Sequence, residues 1–369
     1  MKILLLGEYS NVHATLAEGL RRLGHDVTVA SNGDFWKNYP RDVDLERKPG
    51  KIGGMRLMGK IIMNLPRMSG YDVVQVINPM FVELKAERVM MLYQWLRRHN
   101  TKVIMGAFGM DYYWVHENVT RKMLRYSDFN IGENLRETPI AVQDRQDWLG
   151  TAKERLNKHM AQDCDGIVCG LYEYWACYHP LFQEKTTFIP FPIKPKPNIK
   201  IASKRQNDPV DIFIGISKGR SVYKGTDVML AAAQAVSRKY PGRLNLKIAE
   251  GVPFAQYVEM MNSSDAILDQ LYSYTPAMNA LEAMSRGIVC IGGGEPENYD
   301  IIREKELRPI VNVEPNYESV FREIERLVLN PQHLPELKRQ SIEYIRRHHD
   351  YMKIAKRYVS YYSGYGQNC

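Results

Sequence analysis

The chain opens on an apolar run, Ile3-Leu4-Leu5-Leu6, which is too short for a helix and ends at Gly7, so residues 2–6 read as a buried strand. Apolar positions then recur at helical spacing over 11–23 and stop at Gly24, and a second short run covers 26–30. Strand, loop, helix, strand in that order predicts a parallel α/β layer. Further strands are expected over 72–76, 102–105 and 166–169, alternating with helices over 83–98 and 152–161. The alternation breaks at IPFPIKPKPNIKIASKRQNDP, residues 189–209, whose prolines and basic residues carry no sustained period and read as a linker. A second series follows, with strands over 211–216, 244–248, 266–268, 288–291 and 310–313 and helices over 226–238, 254–261 and 276–286. The stretch 334–362 is helical, basic and tyrosine-rich.

This pattern divides the chain into an N-terminal domain over 1–195, a linker around 190–209, a second domain over 200–345 and a C-terminal helix over 346–369 that crosses back to the first domain. Two open parallel sheets joined by one short connection place ligands at the carboxyl ends of the strands, so a cleft between the domains is the expected substrate site.

Of 369 residues, 44% are hydrophobic and 25% charged, which excludes a disordered chain. The five cysteines, Cys164, Cys169, Cys177, Cys290 and Cys369, form no CxxC pair, so neither a disulfide framework nor a thiolate zinc site is expected and a reducing, cytoplasmic setting fits. The opening segment reads as a strand and not as a signal peptide, and no apolar stretch is long enough to span a membrane. A net charge of +8 favours an anionic partner. Nucleic acid is not expected, because the basic residues do not interleave with aromatic ones. A metal is not expected either: His348-His349-Asp350 is contiguous, and adjacent helical residues do not converge on one ion.

Five segments can carry chemistry. In Gly215-Ile216-Ser217-Lys218-Gly219-Arg220-Ser221-Val222-Tyr223-Lys224-Gly225, between a strand and a helix, cationic side chains meet backbone amides that a phosphate can use. The other reading is a solvated basic turn. In Tyr274-Thr275-Pro276-Ala277-Met278, Thr275 is expected to cap a helix with Pro276 at its first position, and Glu282 then lies about 9 Å along the axis, one sugar beyond an anion bound at the start. Glu282 can equally pair with Arg286. Gly7 lets a ligand approach the backbone of the first loop. Asn11 is expected to cap the next helix, which carries His13 to a cleft wall or to the surface. Asp111 can bind a hydroxylated acceptor or cap a helix. Finally, 51–67 combines Lys51, Arg56, Lys60 and Arg67 with Ile, Met and Leu and no acid, which suits an anionic membrane surface or a core helix.

These segments together resemble the family 4 glycosyltransferases of the GT-B fold along nearly the whole chain. The resemblance is carried by the loop Gly7 to His13, LAEGLRRLGHDVTV (16–29), IPFPI (189–193), the stretch Gly215 to Asp227 with its KG pair, and NALEAMSRGIVCIGGGEPE (279–297). It implies two Rossmann-like parallel-sheet domains facing across a cleft. It also implies a retaining, metal-independent enzyme that moves a hexosyl group from a nucleoside-diphosphate sugar to a hydroxyl of a saccharide or lipid-linked saccharide in polysaccharide biosynthesis, with no permanently bound cofactor. Glu282 would bind the nucleotide ribose. Lys224 with Arg220 or Lys218 would neutralise the diphosphate, and the backbone of Thr275, Pro276, Ala277 and Met278 would hold it; Gly7, Gly215 and Tyr274 complete the donor side, and His13 and Asp111 face the acceptor. Two positions depart from the family pattern: Tyr274 stands where a second glutamate is common, and Phe108 where a histidine is common. The competing readings are a nucleotide-sugar binding protein without transfer and another GT-B enzyme such as an epimerase.

Overall fold

A computed structural model describes residues 1–217 and 219–364, and the chain forms two compact units. One gathers Met1–Met123, Gln143–Pro192 and the chain from Tyr351 onward; the other gathers Leu124–Val142 and Ile193–Asp350. The segment Leu124–Val142 thus belongs with the second half of the sequence.

The strands in chain order are β1 (Lys2–Leu6), β2 (Asp26–Ser31), β3 (Val43–Asp44), β4 (Val73–Val76), β5 (Lys102–Ala107), β6 (Asn130–Ile131), β7 (Asn134–Leu135), β8 (Gly166–Cys169) and β9 (Thr186–Phe188). All but β6 and β7 form the parallel sheet of the first unit, in the order β3-β2-β1-β4-β5-β8-β9. Ile3 to Leu6 are wholly inaccessible in the middle of this sheet, as an unbroken apolar strand requires when helices cover both faces. The helix Val12–Arg22 packs against the late helix Tyr351–Tyr362, and Gly19 is the point of closest approach: a Cβ there would lie 2.9 Å from the Tyr351 carbonyl oxygen. The Tyr362 hydroxyl donates to Gln75 Oε1 at 2.8 Å, tying the same helix to β4.

The second unit contains β10 (Val210–Ile216), β11 (Leu244–Glu250), β12 (Ala266–Leu268), β13 (Val289–Gly292) and β14 (Val311–Asn312) in the order β11-β10-β12-β13-β14, all parallel. Its core packs Val210, Ile212 and Ile214 against Met229, Ala232 and Val236 of the helix Thr226–Lys239. The chain leaves β10 toward β11 and returns on the other side as β12, so the order reverses between β10 and β12, where open parallel sheets bind their ligands. The antiparallel hairpin β6–β7 packs in this unit as well.

The helical tail expected over 334–362 is divided. A helix over Leu334–Tyr344 passes into a wider turn, Ile345–His349, and Asp350 takes ψ 120°, which ends it before Tyr351–Tyr362 begins. The Ile193 amide donates to the His349 carbonyl at 2.7 Å beside this break. Among the described residues no helix is long and apolar enough to cross a membrane.

Candidate active site

In the second unit the carboxyl ends of β10 and β12 bring two loops together. After β10 the chain forms a single helical turn, Ser221–Lys224, and then Gly225 at φ 75°, before the long helix Thr226–Lys239. Only glycine fits here, both because of that φ and because a Cβ would stand 2.5 Å from Leu271 Cβ. After β12 comes Asp269, a buried carboxyl that sequence reasoning passed over. It accepts hydrogen bonds from the Ala277 amide and the Asn279 side chain; burial pushes its pKa up to about 6, and the nearby Lys224 ammonium opposes that rise. Its only sequence signal is an acid directly after the apolar strand Ala266–Leu268. Tyr257, lying across Gly215, donates to Asn279 Oδ1 at 3.2 Å and extends the network.

The helix expected from Pro276 starts later, and this corrects the expected cap. It runs Met278–Met284, with Ala277 extended at its start and no side-chain cap, so Thr275 and Pro276 precede it. The Ala277 amide is bound to Asp269, which takes over the capping role expected of Thr275. Glu282 lies four residues into the helix, about 6 Å along the axis. Its Oε1 is 2.6 Å from Arg286 and 3.0 Å from Lys196, so the pairing with Arg286 exists, and a lysine from the linker joins it. Arg220 is exposed, with its guanidinium over the Tyr223 ring at 5.7 Å. Lys218, the alternative partner of Lys224, lies outside the described residues. The Tyr274 side chain is only 1% exposed. Its ring lies against Tyr126, and its hydroxyl accepts from the Arg125 amide.

In the first unit, Gly7 at φ 87° sits at the corresponding reversal, between β1 and β4, and packs on Ile77. His13 is fully buried: Nδ1 donates to the Gly7 carbonyl at 2.8 Å and Nε2 accepts from the Gln75 amide at 3.1 Å. Burial lowers its pKa to about 4, so it is a neutral core residue, neither on a cleft wall nor at the surface. Asn11 does not cap the first helix, because its backbone is left-handed at φ 72° and its side chain makes no cap bond. Glu8 replaces it, accepting from the His13 and Ala14 amides at 3.2 and 2.8 Å, and burial raises its pKa to about 8. Asp111 is the cap of Tyr112–His116, accepting from the Trp114 amide and the Tyr178 hydroxyl at 2.8 and 2.7 Å, with a pKa raised by burial to about 7. Phe108 packs edge-on against His13 and Phe191.

Among the described residues no group of three or more His, Cys, Asp or Glu side chains could hold a metal ion. Cys164, Cys169, Cys177 and Cys290 are buried thiols.

By sequence the chain matches no family model and no curated protein. By structure it is similar over 99% of its length to sucrose-phosphate synthase from Thermosynechococcus elongatus (TM-score 0.60, 13% identity, 99% of that chain). Similarity of the same extent joins it to WaaG, a glycosyltransferase involved in lipopolysaccharide biosynthesis (TM-score 0.57, 13% identity, 100% of that chain). Anabaena HepE, solved with UDP and glucose, is similar at TM-score 0.54 and 11% identity, again over 99% of this chain and 100% of that one. The fold is GT-B. At these identities the likeness extends to the fold and no further, and it matches the two parallel-sheet units already described.

Proposed function

We propose that this GT-B chain is a retaining, metal-independent glycosyltransferase of the family 4 kind, which moves a hexosyl group from a nucleoside-diphosphate sugar to a hydroxyl of a saccharide or lipid-linked saccharide acceptor. The observation that carries the reading is the placing of Lys224, Asp269 and the Glu282 helix around the β10–β12 reversal, where a phosphate, a carboxylate-held backbone and a ribose ligand are needed side by side. That WaaG is a glycosyltransferase and that HepE was solved with UDP and glucose supports the same donor chemistry.

In this reading the donor diphosphate lies against Lys224 and Arg220, with Lys218 as the alternative to Arg220, and against the backbone of Gly215 and of Thr275 to Met278. Cations fixed at the departing phosphate stabilise the charge that develops there as the glycosidic bond breaks. Glu282 accepts the two ribose hydroxyls, exchanging part of its pairing with Arg286 and Lys196 for them. The acceptor hydroxyl attacks from the face the nucleotide leaves, and a donor phosphate oxygen takes its proton, so no protein nucleophile is required. Gly7 lets the donor approach the backbone of the first loop, and Asp111 stands on the acceptor side; His13, as a buried residue, supports the Gly7 carbonyl and does not touch the acceptor. Tyr274 replaces the second donor-side glutamate and leaves the transferred sugar to other contacts.

The partner surface is the helix Gly50–Asn64, which leaves Ile52, Met55, Ile62 and Met63 exposed beside Lys51 and Arg56. It suits peripheral attachment to an anionic leaflet on the cytoplasmic side, where a lipid-linked acceptor is presented.

The test is incubation of the purified chain with a panel of UDP-, GDP- and ADP-sugars and saccharide acceptors, reading both nucleotide release and glycoside formation. A nucleotide sugar that binds but is never transferred would favour the binding-protein reading, and interconversion of the sugar without transfer the epimerase.

A further inference from the structure

We propose that Arg136 is a positioning residue for the donor-phosphate turn: from the segment 124–142 it fixes the turn Ser221–Lys224 and thereby aims the Lys224 side chain. The inference rests on the donor reading of Lys224 given above.

The turn Ser221–Lys224 carries four carbonyl groups. A one-turn helix cannot satisfy its own carbonyls, and Gly225 ends this one by turning left-handed. The Ser221 carbonyl receives the Gly225 amide. The Lys224 carbonyl receives the Leu271 amide at 3.0 Å. The two between them, Val222 and Tyr223, both accept from Arg136 Nη2 at 2.9 Å. Every carbonyl of the turn therefore has a donor, and one side chain serves two of the four.

Arg136 is itself held on its other side. Its Nη1 donates to the carbonyls of Ser127 and Asp128 at 3.2 and 3.3 Å, and the flat face of its guanidinium lies 3.5 Å from the centre of the Tyr272 ring. Tyr272 in turn abuts Gly225, where a Cβ would come within 2.8 Å of the ring. Guanidinium, ring and glycine are thus stacked in series, and the side chain is only 8% exposed. A planar fork with donors on two edges can bind two carbonyl pairs in its plane and stack its face on a ring at the same time; a lysine ammonium cannot. Neither Arg136 nor its partners 222, 223 and 272 contacts the phosphate in the donor reading, so the effect passes through the turn.

The experiment compares wild type, Arg136→Lys and Arg136→Ala by native-state amide hydrogen exchange and by titration calorimetry with UDP, with Lys224→Ala and the double variant Arg136→Lys/Lys224→Ala alongside. Exchange over residues 219–226 is expected to accelerate at least about tenfold in Arg136→Lys, while β10 and β13 keep their rates. The UDP dissociation constant is expected to rise at least about fivefold in Arg136→Lys. In the double variant it should rise no further than in Lys224→Ala, since a side chain acting through Lys224 has nothing left to act on. Unchanged exchange over 219–226, equal acceleration across the whole unit, additive losses of UDP affinity, or failure of both Arg136 variants to fold would each overturn the proposal. Local acceleration in a chain whose wild type binds no UDP would uphold the anchoring and overturn the donor reading alone.

Discussion

The Tyr274 hydroxyl accepts the backbone amide proton of Arg125 at 2.8 Å, joining two residues 149 positions apart in the chain. Around that bond the Arg125 guanidinium pairs with Glu295 and Glu297 at 2.6 and 2.7 Å, and the Tyr126 hydroxyl donates to Glu295 at 2.7 Å. This set attaches the segment 124–142 to the unit that carries Lys224. Replacing Tyr274 by Phe keeps the ring contacts and leaves the Arg125 amide without its acceptor. The expected cost is about 1–2 kcal/mol, read as a lower urea midpoint at unchanged m. A midpoint equal to that of wild type would mean that water replaces the hydroxyl at no cost.

Lys224→Ala removes the cation nearest the proposed diphosphate. Donor turnover should fall at least about tenfold, equivalent to about 1.4 kcal/mol of transition-state stabilisation. Arg220→Ala should act likewise if it is the second cation of the pair. Wild-type turnover in a folded Lys224 variant would remove this loop from the donor site.

The parts of the fold legible in the sequence are those written in apolar side chains. The runs of β1, β5, β10 and β13 are buried on both faces, and burial of that kind leaves an unbroken pattern. The edge strands β3 and β9, with three residues or fewer, and the hairpin β6–β7 carry no such pattern, because they are held mainly by backbone bonds. Nothing in the sequence assigns residues 124–142 to the second unit, since their partners stand far along the chain: Arg125 and Tyr126 bind Glu295, and Arg136 binds, at Val222 and Tyr223, carbonyls of the kind that every residue possesses. The Lys224–Gly225 turn was readable from its glycine and cations. The helix near Thr275 starts later than the sequence indicates because a distant carboxyl, Asp269, takes the amide that a local cap is expected to take; Glu8 displaces Asn11 in a similar way.

Glu282→Gln should weaken nucleoside diphosphate binding at nearly unchanged stability. The carboxylate is about one-third exposed, and its pairs with Arg286 and Lys196 are therefore worth little, below about 1 kcal/mol. A ribose ligand would lose one of its two charged acceptors. Calorimetry with UDP and GDP, paired with melting curves, decides: equal affinity at equal melting leaves Glu282 as a surface partner of its two cations.

Two buried carboxyls of the first unit, Glu8 in the first loop and Asp111 after β5, make its stability depend on pH. Glu8 titrates near 8 when folded against an ordinary 4.5, and Asp111 near 7 against 3.8. Both folded carboxyls therefore hold protons that the unfolded chain has released, and stability falls as pH rises toward those folded values. His13 acts in the opposite direction but only between about 4 and 6.5, where the unfolded ring takes up a proton that the buried one refuses. Above about pH 6.5 the His13 contribution no longer changes, while those of Glu8 and Asp111 still do. The urea midpoint should decline from there to about pH 8.5, and Glu8→Gln should flatten the decline. A midpoint that rises with pH in the wild type would contradict the burial of a neutral Glu8.

Attachment to an anionic leaflet is expected to depend on charge and on apolar side chains together. In the helix Gly50–Asn64 only Gly53, Leu57 and Ile61 are buried, while Met55 and Met63 are 71% and 73% exposed. Of the four basic residues in 51–67, Lys60 is engaged with Asp44 at 2.8 Å, which leaves Lys51, Arg56 and Arg67 as the exposed cations. At about 1 kcal/mol each near an anionic surface, three cations give only weak recruitment, and insertion of Met55 and Met63 must supply the rest. The chain should therefore sediment with vesicles rich in anionic lipid and not with neutral ones, and should be released by high salt. A variant with Lys51, Arg56 and Arg67 changed to Gln should lose most of this binding, as should Met55→Ser/Met63→Ser. Binding that ignores lipid charge, or a folded triple variant that still sediments fully, would make a soluble saccharide the better acceptor.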